Sequence, residues 1–436
     1  MAFRECTTAE KDIGMLYYLS GADGTGGRLK ARAEDFVVEE VSKGPERAEN
    51  GKYTIATVKA TNWESNRMIR LFAREMGMSR ERIGFAGTKD KRAVTTQLMS
   101  FECPPSQLEK VQLKDVEFSD VYTARRNIRI GDLVGNRFRI RVTGCSRPAD
   151  EIASIVGEVA ADIKANKGFP NYFGVQRFGV MRPITHLVGE RLVRGDIEGA
   201  VKCYVCTPSS DESRDKEAAE CRKNLSESDD WASLLNSVPD SMSFEKVMVQ
   251  HIAENPGDWT GAIAAMPTNL QMMFVHAYQS YLFNIMLSRR IEKGLPMNRP
   301  VVGDVVVPMS ADMIPLHEQQ IVATEKNIDL VERQVRLGKA FVTGCLFGSD
   351  SQFAEGEMGE IERRVIEDNR LKAEDFIIPG LPHCSSEGDR REILCPVKDL
   401  TYEPDPDGYI VSFFLPKGNY ATCLMREFMK SEMTDY

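Results

Sequence analysis

One stretch of this sequence constrains the fold strongly, because its alternation of charge and bulk fits only one regular backbone conformation. Between Gly131 and Val142, three arginines alternate with three apolar residues, in the order Arg137, Phe138, Arg139, Ile140, Arg141 and Val142. Successive side chains of a β-strand point to opposite faces of its sheet. The spacing therefore predicts a strand with one arginine face and one apolar face.

The arginine face has two interpretations. It can be an ordinary solvated sheet surface, or it can contact the phosphates of a nucleic acid. Like charges side by side repel one another unless an anion meets them. We therefore favour phosphate contact for Arg137, Arg139 and Arg141.

The net charge of −9 does not exclude a nucleic-acid partner, because the charge is unevenly distributed. Residues 121–147 contain seven arginines and one acid, whereas residues 207–230 contain eight acids and four basic residues. Such asymmetry lets one face attract phosphate while the whole molecule stays acidic. The polar composition of residues 207–230 predicts an exposed loop or flexible insert.

Length and composition limit the protein class. A chain of 436 residues is too long for one core and fits two or three domains. No apolar run has the length of a bilayer span and the N-terminus has no apolar signal core, so we expect a cytoplasmic protein without a membrane segment. The ten cysteines and five histidines are scattered. They predict no metal site, with the Cys203/Cys206 pair as the less favoured alternative.

A charged loop between residues 83 and 96 carries the strongest candidate for chemistry. Asp90 lies between Lys89 and Lys91, and Arg92 follows. A nearby positive charge favours the ionised form of a carboxyl group, so Asp90 suits a nucleophile or a base better than a general acid. The alternative is a solvated turn without chemistry.

A second unusual stretch is Asn171–Gly179, which reads N-Y-F-G-V-Q-R-F-G. Aromatic rings stack on unpaired bases and amides read base edges, so this composition favours a nucleobase pocket. A packed aromatic corner is the alternative. Further along, residues 270–291 predict a long helix, and we interpret His276 on its apolar stripe as a packed residue.

Five stretches together resemble one family, the TruD-type pseudouridine synthases, in their archaeal length. They span most of the chain in the family's order, and A-G-T-K-D-K and N-Y-F-G-V-Q-R-F-G are the most specific. The sequence departs from the family's pattern at Ala33, where the family usually has proline, and at Tyr420, where some members have phenylalanine. The five stretches are residues 32–40, 62–97, 171–179, 276–284 and 418–428.

The resemblance implies an isomerase that converts uridine to pseudouridine at position 13 of tRNA, with Asp90 as catalytic aspartate and Lys30 as its basic partner. It also implies substrate contacts for Phe36, Asn171 and Tyr420, and a ring packed on the target base for Phe173. The reaction needs no cofactor or metal, and we expect tRNA as the partner of a monomeric protein. We add Lys89, Lys91 and Arg92 as contacts to the RNA backbone.

The fold that the resemblance implies is of the α+β class. A catalytic domain with a mixed β-sheet flanked by helices is formed by residues 1–190 and 386–436, and an inserted second α/β domain by residues 191–385. Two other functions remain open: a non-catalytic RNA-binding protein that uses the arginine-rich strand, and a hydrolase that releases the base.

Overall fold

The computed structural model describes residues 3–209, 215–310 and 314–436. The strands in this part of the chain are β1 (Arg4–Glu5), β2 (Tyr17–Tyr18), β3 (Phe36–Ser42), β4 (Tyr53–Thr61), β5 (Ile83–Phe85), β6 (Val94–Phe101), β7 (Val116–Ala124), β8 (Leu133–Thr143), β9 (Gly168–Pro170), β10 (Val305–Pro308), β11 (Ile321–Val322), β12 (Ala340–Leu346), β13 (Asp389–Glu392), β14 (Leu394–Pro396), β15 (Lys398–Asp405) and β16 (Gly408–Pro416). The helices are α1 (Ser65–Glu75), α2 (Ala149–Asn166), α3 (Thr185–Val193), α4 (Ile197–Cys206), α5 (Lys216–Glu227), α6 (Trp231–Leu234), α7 (Ser243–Glu254), α8 (Trp259–Ala264), α9 (Thr268–Glu292), α10 (Ile328–Arg336), α11 (Gly356–Asp368) and α12 (Ala421–Met429).

The largest sheet has eight strands and is mixed. Its order is β15-β16-β8-β3-β6-β4-β7, and β5 pairs with β6 outside this path. The pair β3 and β6 is parallel, whereas the other pairs are antiparallel. Together with the helices, this sheet gives the α+β class that the sequence predicts.

The alternating stretch is the strand β8, near the middle of this sheet. Ile140 and Val142 are fully buried and Phe138 is nearly so, whereas Arg137 and Arg139 are exposed. The predicted two-faced strand is therefore confirmed. Helix α2 packs against the neighbouring strands β15 and β16, and its buried residues join those of β8 in one hydrophobic cluster.

A second hydrophobic cluster is formed by residues between Ile184 and Cys384. This part of the chain contains the strands β10 to β12 and the helices α3 to α11, and β13, just after it, completes a four-stranded sheet of order β11-β10-β12-β13. Helix α9 belongs to both clusters, since Phe283 and Leu287 pack in the first and Phe274 and Leu282 in the second. A helix that is apolar on several sides is stable only when it is buried on several sides, so α9 joins the two cores.

The expected exposed loop at residues 207–230 is wrong for its second half. Residues 210–214 lie outside the described residues, but Lys216–Glu227 forms the helix α5. Asp215 caps this helix, and Ala218, Cys221 and Leu225 are buried. Their spacing of three and four residues places them on one helical face, and the surrounding charges concealed this pattern in the composition.

The described residues contain neither a helix suited to span a membrane nor a cluster of metal-binding side chains. In residues 3–209, 215–310 and 314–436, the helices lack the combination of length and hydrophobicity that a bilayer span requires. In the same ranges, no three or more His, Cys, Asp or Glu side chains are grouped to hold a metal ion. Cys203 and Cys206 lie in the last turns of α4 as free thiols.

Buried His186 predicts a pH dependence of folding. Its ring is 4% exposed and lies 5.0 Å from that of Tyr281 and 5.2 Å from that of Phe178. Burial lowers the pKa of His186 to about 4, from an ordinary value of 6.5. Because the folded-state pKa is the lower one, the unfolded state binds more protons below pH 6.5, and stability falls as the pH falls towards 4.

We expect this histidine to reduce the free energy of unfolding by about 2 kcal/mol between pH 7 and pH 5. Urea unfolding of the wild-type protein and of the His186→Phe variant at both pH values measures the difference. The variant keeps an aromatic ring but has no group that binds a proton. Its free energy of unfolding should therefore fall by about 2 kcal/mol less between pH 7 and pH 5 than that of the wild type. Equal losses in the two proteins would contradict the assignment.

Candidate active site

Asp90 lies in the loop that joins β5 to β6, and two hydrogen bonds fix the loop to other segments. The backbone N–H of Lys89 donates to the hydroxyl of Ser65, in the first turn of α1, at 2.9 Å. The guanidinium of Arg92 donates to the carbonyl of Ala31 at 2.7 Å. The loop is thus held between helix α1 and the segment that precedes β3.

Lys30, from that segment, forms an ion pair with Asp90. The distance from Lys30 Nζ to Asp90 Oδ1 is 2.9 Å, and the side chains are 16% and 45% exposed. The same ammonium lies 4.3 Å from the centre of the Phe36 ring. Lys30 has φ at 56°, a left-handed conformation that is unfavourable for a residue with a Cβ atom and that occurs often in functional sites.

A cavity of about 340 Å³ lies next to Asp90, and we call it the Asp90 cavity. It brings together residues from five distant parts of the chain. Its volume is at the lower end of the range for small-molecule sites, and its walls combine aromatic rings with a few polar groups, as such sites do. Residues that line it include Phe36, Asp90, Phe138, Gln176, Tyr420 and Thr422.

The cavity is open to solvent at Asp90. With 45% of its side chain exposed, the carboxylate keeps much of its contact with water. A molecule bound in the cavity would reduce this contact with water.

Phe173 lies one layer behind the Asp90 cavity rather than in its wall. Its ring is 5% exposed and its centre lies 6.4 Å from the centre of the Tyr420 ring. The guanidinium of Arg391 lies 4.2 Å from the centre of the Phe173 ring. Phe173 thus supports Tyr420 from within the protein.

Asn171 is also not among the residues that line the Asp90 cavity. It is 2% exposed. Its side-chain nitrogen donates to the carbonyl of Glu392 at 2.9 Å, and its side-chain oxygen accepts from Arg391 at 2.7 Å. Because these contacts occupy the amide, Asn171 is placed to orient Arg391 rather than to touch a base directly.

Arg391 is a residue that the sequence reasoning missed. Besides Asn171, it donates to the carbonyl of Gly418, just before Tyr420, at 3.4 Å. Burial lowers the pKa of Arg391. Its segment R-R-E has no motif, and Arg391 lies beside Asn171 because β14 pairs with β9 and the backbone N–H of Asn171 donates to the carbonyl of Ile393 at 2.9 Å.

The basic residues of the Asp90 loop do not share one environment. Lys91 and Arg92 are exposed. The side chain of Lys89 is 5% exposed and forms an ion pair with Glu40, which is 1% exposed. A buried and paired ammonium has little surface to offer a phosphate, so the structure speaks against the expected backbone contact of Lys89.

The arginine face of β8 points away from the Asp90 cavity. Phe138 lines this cavity, and the arginines that alternate with Phe138 lie on the other side of the sheet. Arg139 pairs with Glu403 at 3.0 Å. Arg141 pairs with Asp405 at 2.6 Å. Acidic residues thus meet two of the three charges, and the repulsion that favoured phosphate contact is absent for Arg139 and Arg141.

Comparison with known proteins gives a consistent result over the whole chain. The profile of the family described as tRNA pseudouridine synthase D (TruD) matches residues 12–428. A Methanococcoides burtonii protein described as a probable tRNA pseudouridine synthase D is 41% identical, with 97% of each chain covered. A Halobacterium salinarum protein of the same description is 40% identical, with 98% of each chain covered.

The fold agrees with these sequence matches. A crystal structure of a Methanosarcina mazei protein described as tRNA pseudouridine synthase D superimposes with a TM-score of 0.86 and 37% sequence identity, and 98% of each chain is covered. Sequence and fold therefore lead to the same conclusion: this chain belongs to the TruD family of tRNA pseudouridine synthases.

Proposed function

We propose that the protein isomerises uridine to pseudouridine at position 13 of tRNA, with Asp90 as the catalytic carboxylate. The observation that carries the proposal is the Asp90 cavity, where a carboxylate paired with Lys30 faces the aromatic side chains of Phe36 and Tyr420. Family membership supports the reaction type, and the specificity for position 13 rests on the family alone.

The reaction rearranges one nucleotide without another reactant. The bond between C1′ of the ribose and N1 of uracil breaks, the base turns, and a bond between C1′ and C5 forms. C5 then loses its proton to solvent while N1 gains one, so atoms and electrons balance. Asp90 either attacks C1′ or takes the proton from C2′ to give a glycal. Both routes need an ionised carboxylate, and both remain open.

The lining residues supply a grip on the detached base. A base that is modified by an enzyme must leave its stack and enter a pocket. In the proposal, Phe36 and Tyr420 contact the extruded uracil, and Phe173 holds Tyr420 in place. Asn171 acts through Arg391, and Lys30 keeps the carboxylate charged and oriented.

The chain division that we propose places the catalytic domain in residues 1–190 and 386–436, with residues 191–385 inserted. The strand register favours a second boundary a few residues later. Strand β13 still pairs with β12 of the four-stranded sheet, whereas β14 pairs with β9 beside the large sheet. The chain thus crosses between the two parts at Ile393.

Contact with the RNA backbone is assigned to Lys91 and Arg92, the exposed basic residues beside Asp90. We expect Lys91→Ala and Arg92→Ala each to weaken tRNA binding and to reduce the slope of log K against log salt by about one. Fluorescence titrations between low and moderate salt measure this slope. Lys89→Ala serves as a comparison and should leave the slope unchanged, because Lys89 is buried. An unchanged slope for both exposed variants would contradict the assignment.

Incubation of the purified protein with unmodified tRNA tests the proposed function. The expected result is pseudouridine at position 13, with the C5 hydrogen released to water and the RNA mass otherwise unchanged. A non-catalytic RNA-binding protein would leave every uridine intact, and a base-releasing hydrolase would liberate free uracil. Either outcome would replace the proposal with the corresponding alternative.

A further inference from the structure

A second cavity, of about 310 Å³, lies beside the Asp90 cavity, and we call it the Arg177 cavity. Gln176 lines the first cavity and the next residue, Arg177, lines the second. Phe173 lines the Arg177 cavity while its ring contacts Tyr420 of the Asp90 cavity. The two cavities are therefore neighbours on either side of one buried ring.

Arg177 is the unusual group in this second cavity. Among the described residues its guanidinium has no hydrogen-bond or ion-pair partner, and its Nε is buried without one. The guanidinium lies over the ring of Phe173, whose centre is 5.3 Å from Cζ. Buried polar groups normally have a partner, and a molecule bound in this cavity can supply one for Arg177.

The other groups in the cavity are of mixed character. Burial and the positive charge of Arg177 lower the pKa of His276, so this imidazole is neutral and both donates and accepts hydrogen bonds. Asp389, whose side chain is 56% exposed, adds a carboxylate. A carboxylate repels a phosphate but accepts hydrogen bonds from the amino or imino groups of a base.

We propose that the Arg177 cavity binds the base of an unpaired nucleotide that neighbours the target uridine in the RNA. The planar guanidinium of Arg177 stacks on this base or donates to it, and His276 and Asp389 contact its edge. Such contacts are typical of the recognition of splayed bases in single-stranded RNA. The inference rests on the proposed function, and it adds a second binding site that makes the protein sensitive to the sequence around its target.

The test uses tRNA substrates in which the base on either side of the target uridine is removed, one at a time. We expect one abasic substrate to raise the KM of the wild-type protein about tenfold at nearly constant kcat, in line with the energy of one stacked base. Arg177→Ala should raise the KM for intact tRNA by a similar factor and should no longer distinguish this abasic substrate from it. Arg364→Ala, at an exposed arginine on α11, is the control and should behave as the wild type.

The inference would be overturned by a wild-type protein that is indifferent to both abasic substrates, or by an Arg177→Ala variant that still discriminates fully. A uniform loss for all RNAs together with a flatter salt dependence would assign Arg177 to a phosphate instead and would overturn it too. His276→Phe serves as a second variant if Arg177→Ala fails to fold. It retains a ring without the imidazole nitrogens, and it should also lose the discrimination between intact and abasic RNA.

Failure of the proposed function gives a different pattern. In that case the wild-type protein forms no pseudouridine. Dissociation constants of labelled intact and abasic RNAs, measured for the same variants, then still decide whether the Arg177 cavity binds a base.

Discussion

Replacement of Asp90 by asparagine is expected to reduce the rate of pseudouridine formation by roughly 10⁴-fold or more, while tRNA still binds. An amide has nearly the shape of the carboxylate but carries no charge, so it neither attacks C1′ nor removes a proton from C2′. The ion pair with Lys30 is lost as well. The pair is half-exposed, so its loss should change stability by less than about 1 kcal/mol.

Single-turnover assays with saturating protein measure the rate of pseudouridine formation, and a binding titration measures the affinity for tRNA. The matched control is Asp120→Asn on β7. This substitution removes an exposed carboxylate that pairs with Arg47. It makes the same chemical change without touching the Asp90 cavity and should retain the wild-type rate. Normal turnover by Asp90→Asn would remove Asp90 from its proposed role.

The second large effect concerns folding. We expect Arg426→Met to lower the free energy of unfolding by about 3–5 kcal/mol. The guanidinium of Arg426 donates to Glu10 at 2.7 Å and contacts Glu427 at 3.5 Å, and all three side chains are 1% exposed. Its removal leaves two buried carboxylates without their cation, which is far costlier than the loss of a surface pair.

This cluster also connects folding to the Asp90 cavity. Helix α12 begins directly after Tyr420 and carries both Arg426 and Glu427. Glu427 accepts a hydrogen bond from the backbone of Leu19 at 2.8 Å, and Arg426 donates to the carbonyl of Tyr17 at 3.0 Å. The N-terminal segment therefore holds α12, and with it Tyr420, in position.

Urea unfolding at neutral pH measures the loss for Arg426→Met. The control is Arg364→Met on α11, where the arginine is 73% exposed and pairs with Asp368 one turn later. Such a pair contributes about 0.5 kcal/mol or less. A loss below about 1 kcal/mol in Arg426→Met would show that the buried charges find other partners.

The local patterns in the sequence were sufficient to predict parts of the fold. The alternation at Arg137 to Val142 determines the two faces of β8 because the period of a strand is fixed by its geometry. The apolar spacing around Phe274 likewise predicts α9. Its role in joining two cores was not predictable, because that depends on which segments pack on each side.

Other features depend on contacts between distant segments, and the sequence does not encode these locally. Lys89 looks like its neighbour Lys91 in the sequence, and only the proximity of Glu40 separates a buried ion pair from an exposed charge. Arg391 lies beside the segment of Asn171 and Phe173 because two distant strands, β9 and β14, pair with each other. The position of Asn171 behind Arg391 follows from the same pairing.

The central claim is that the Asp90 carboxylate meets the ribose of an extruded uridine in the Asp90 cavity. A crystal structure of the Asp90→Asn variant bound to tRNA tests it directly, through the distance from the side-chain oxygen of residue 90 to C1′ of nucleotide 13. We predict a separation of about 3 to 3.5 Å, with the uracil between the rings of Phe36 and Tyr420. A uridine that stays stacked within the RNA, or that is bound outside this cavity, would contradict the account.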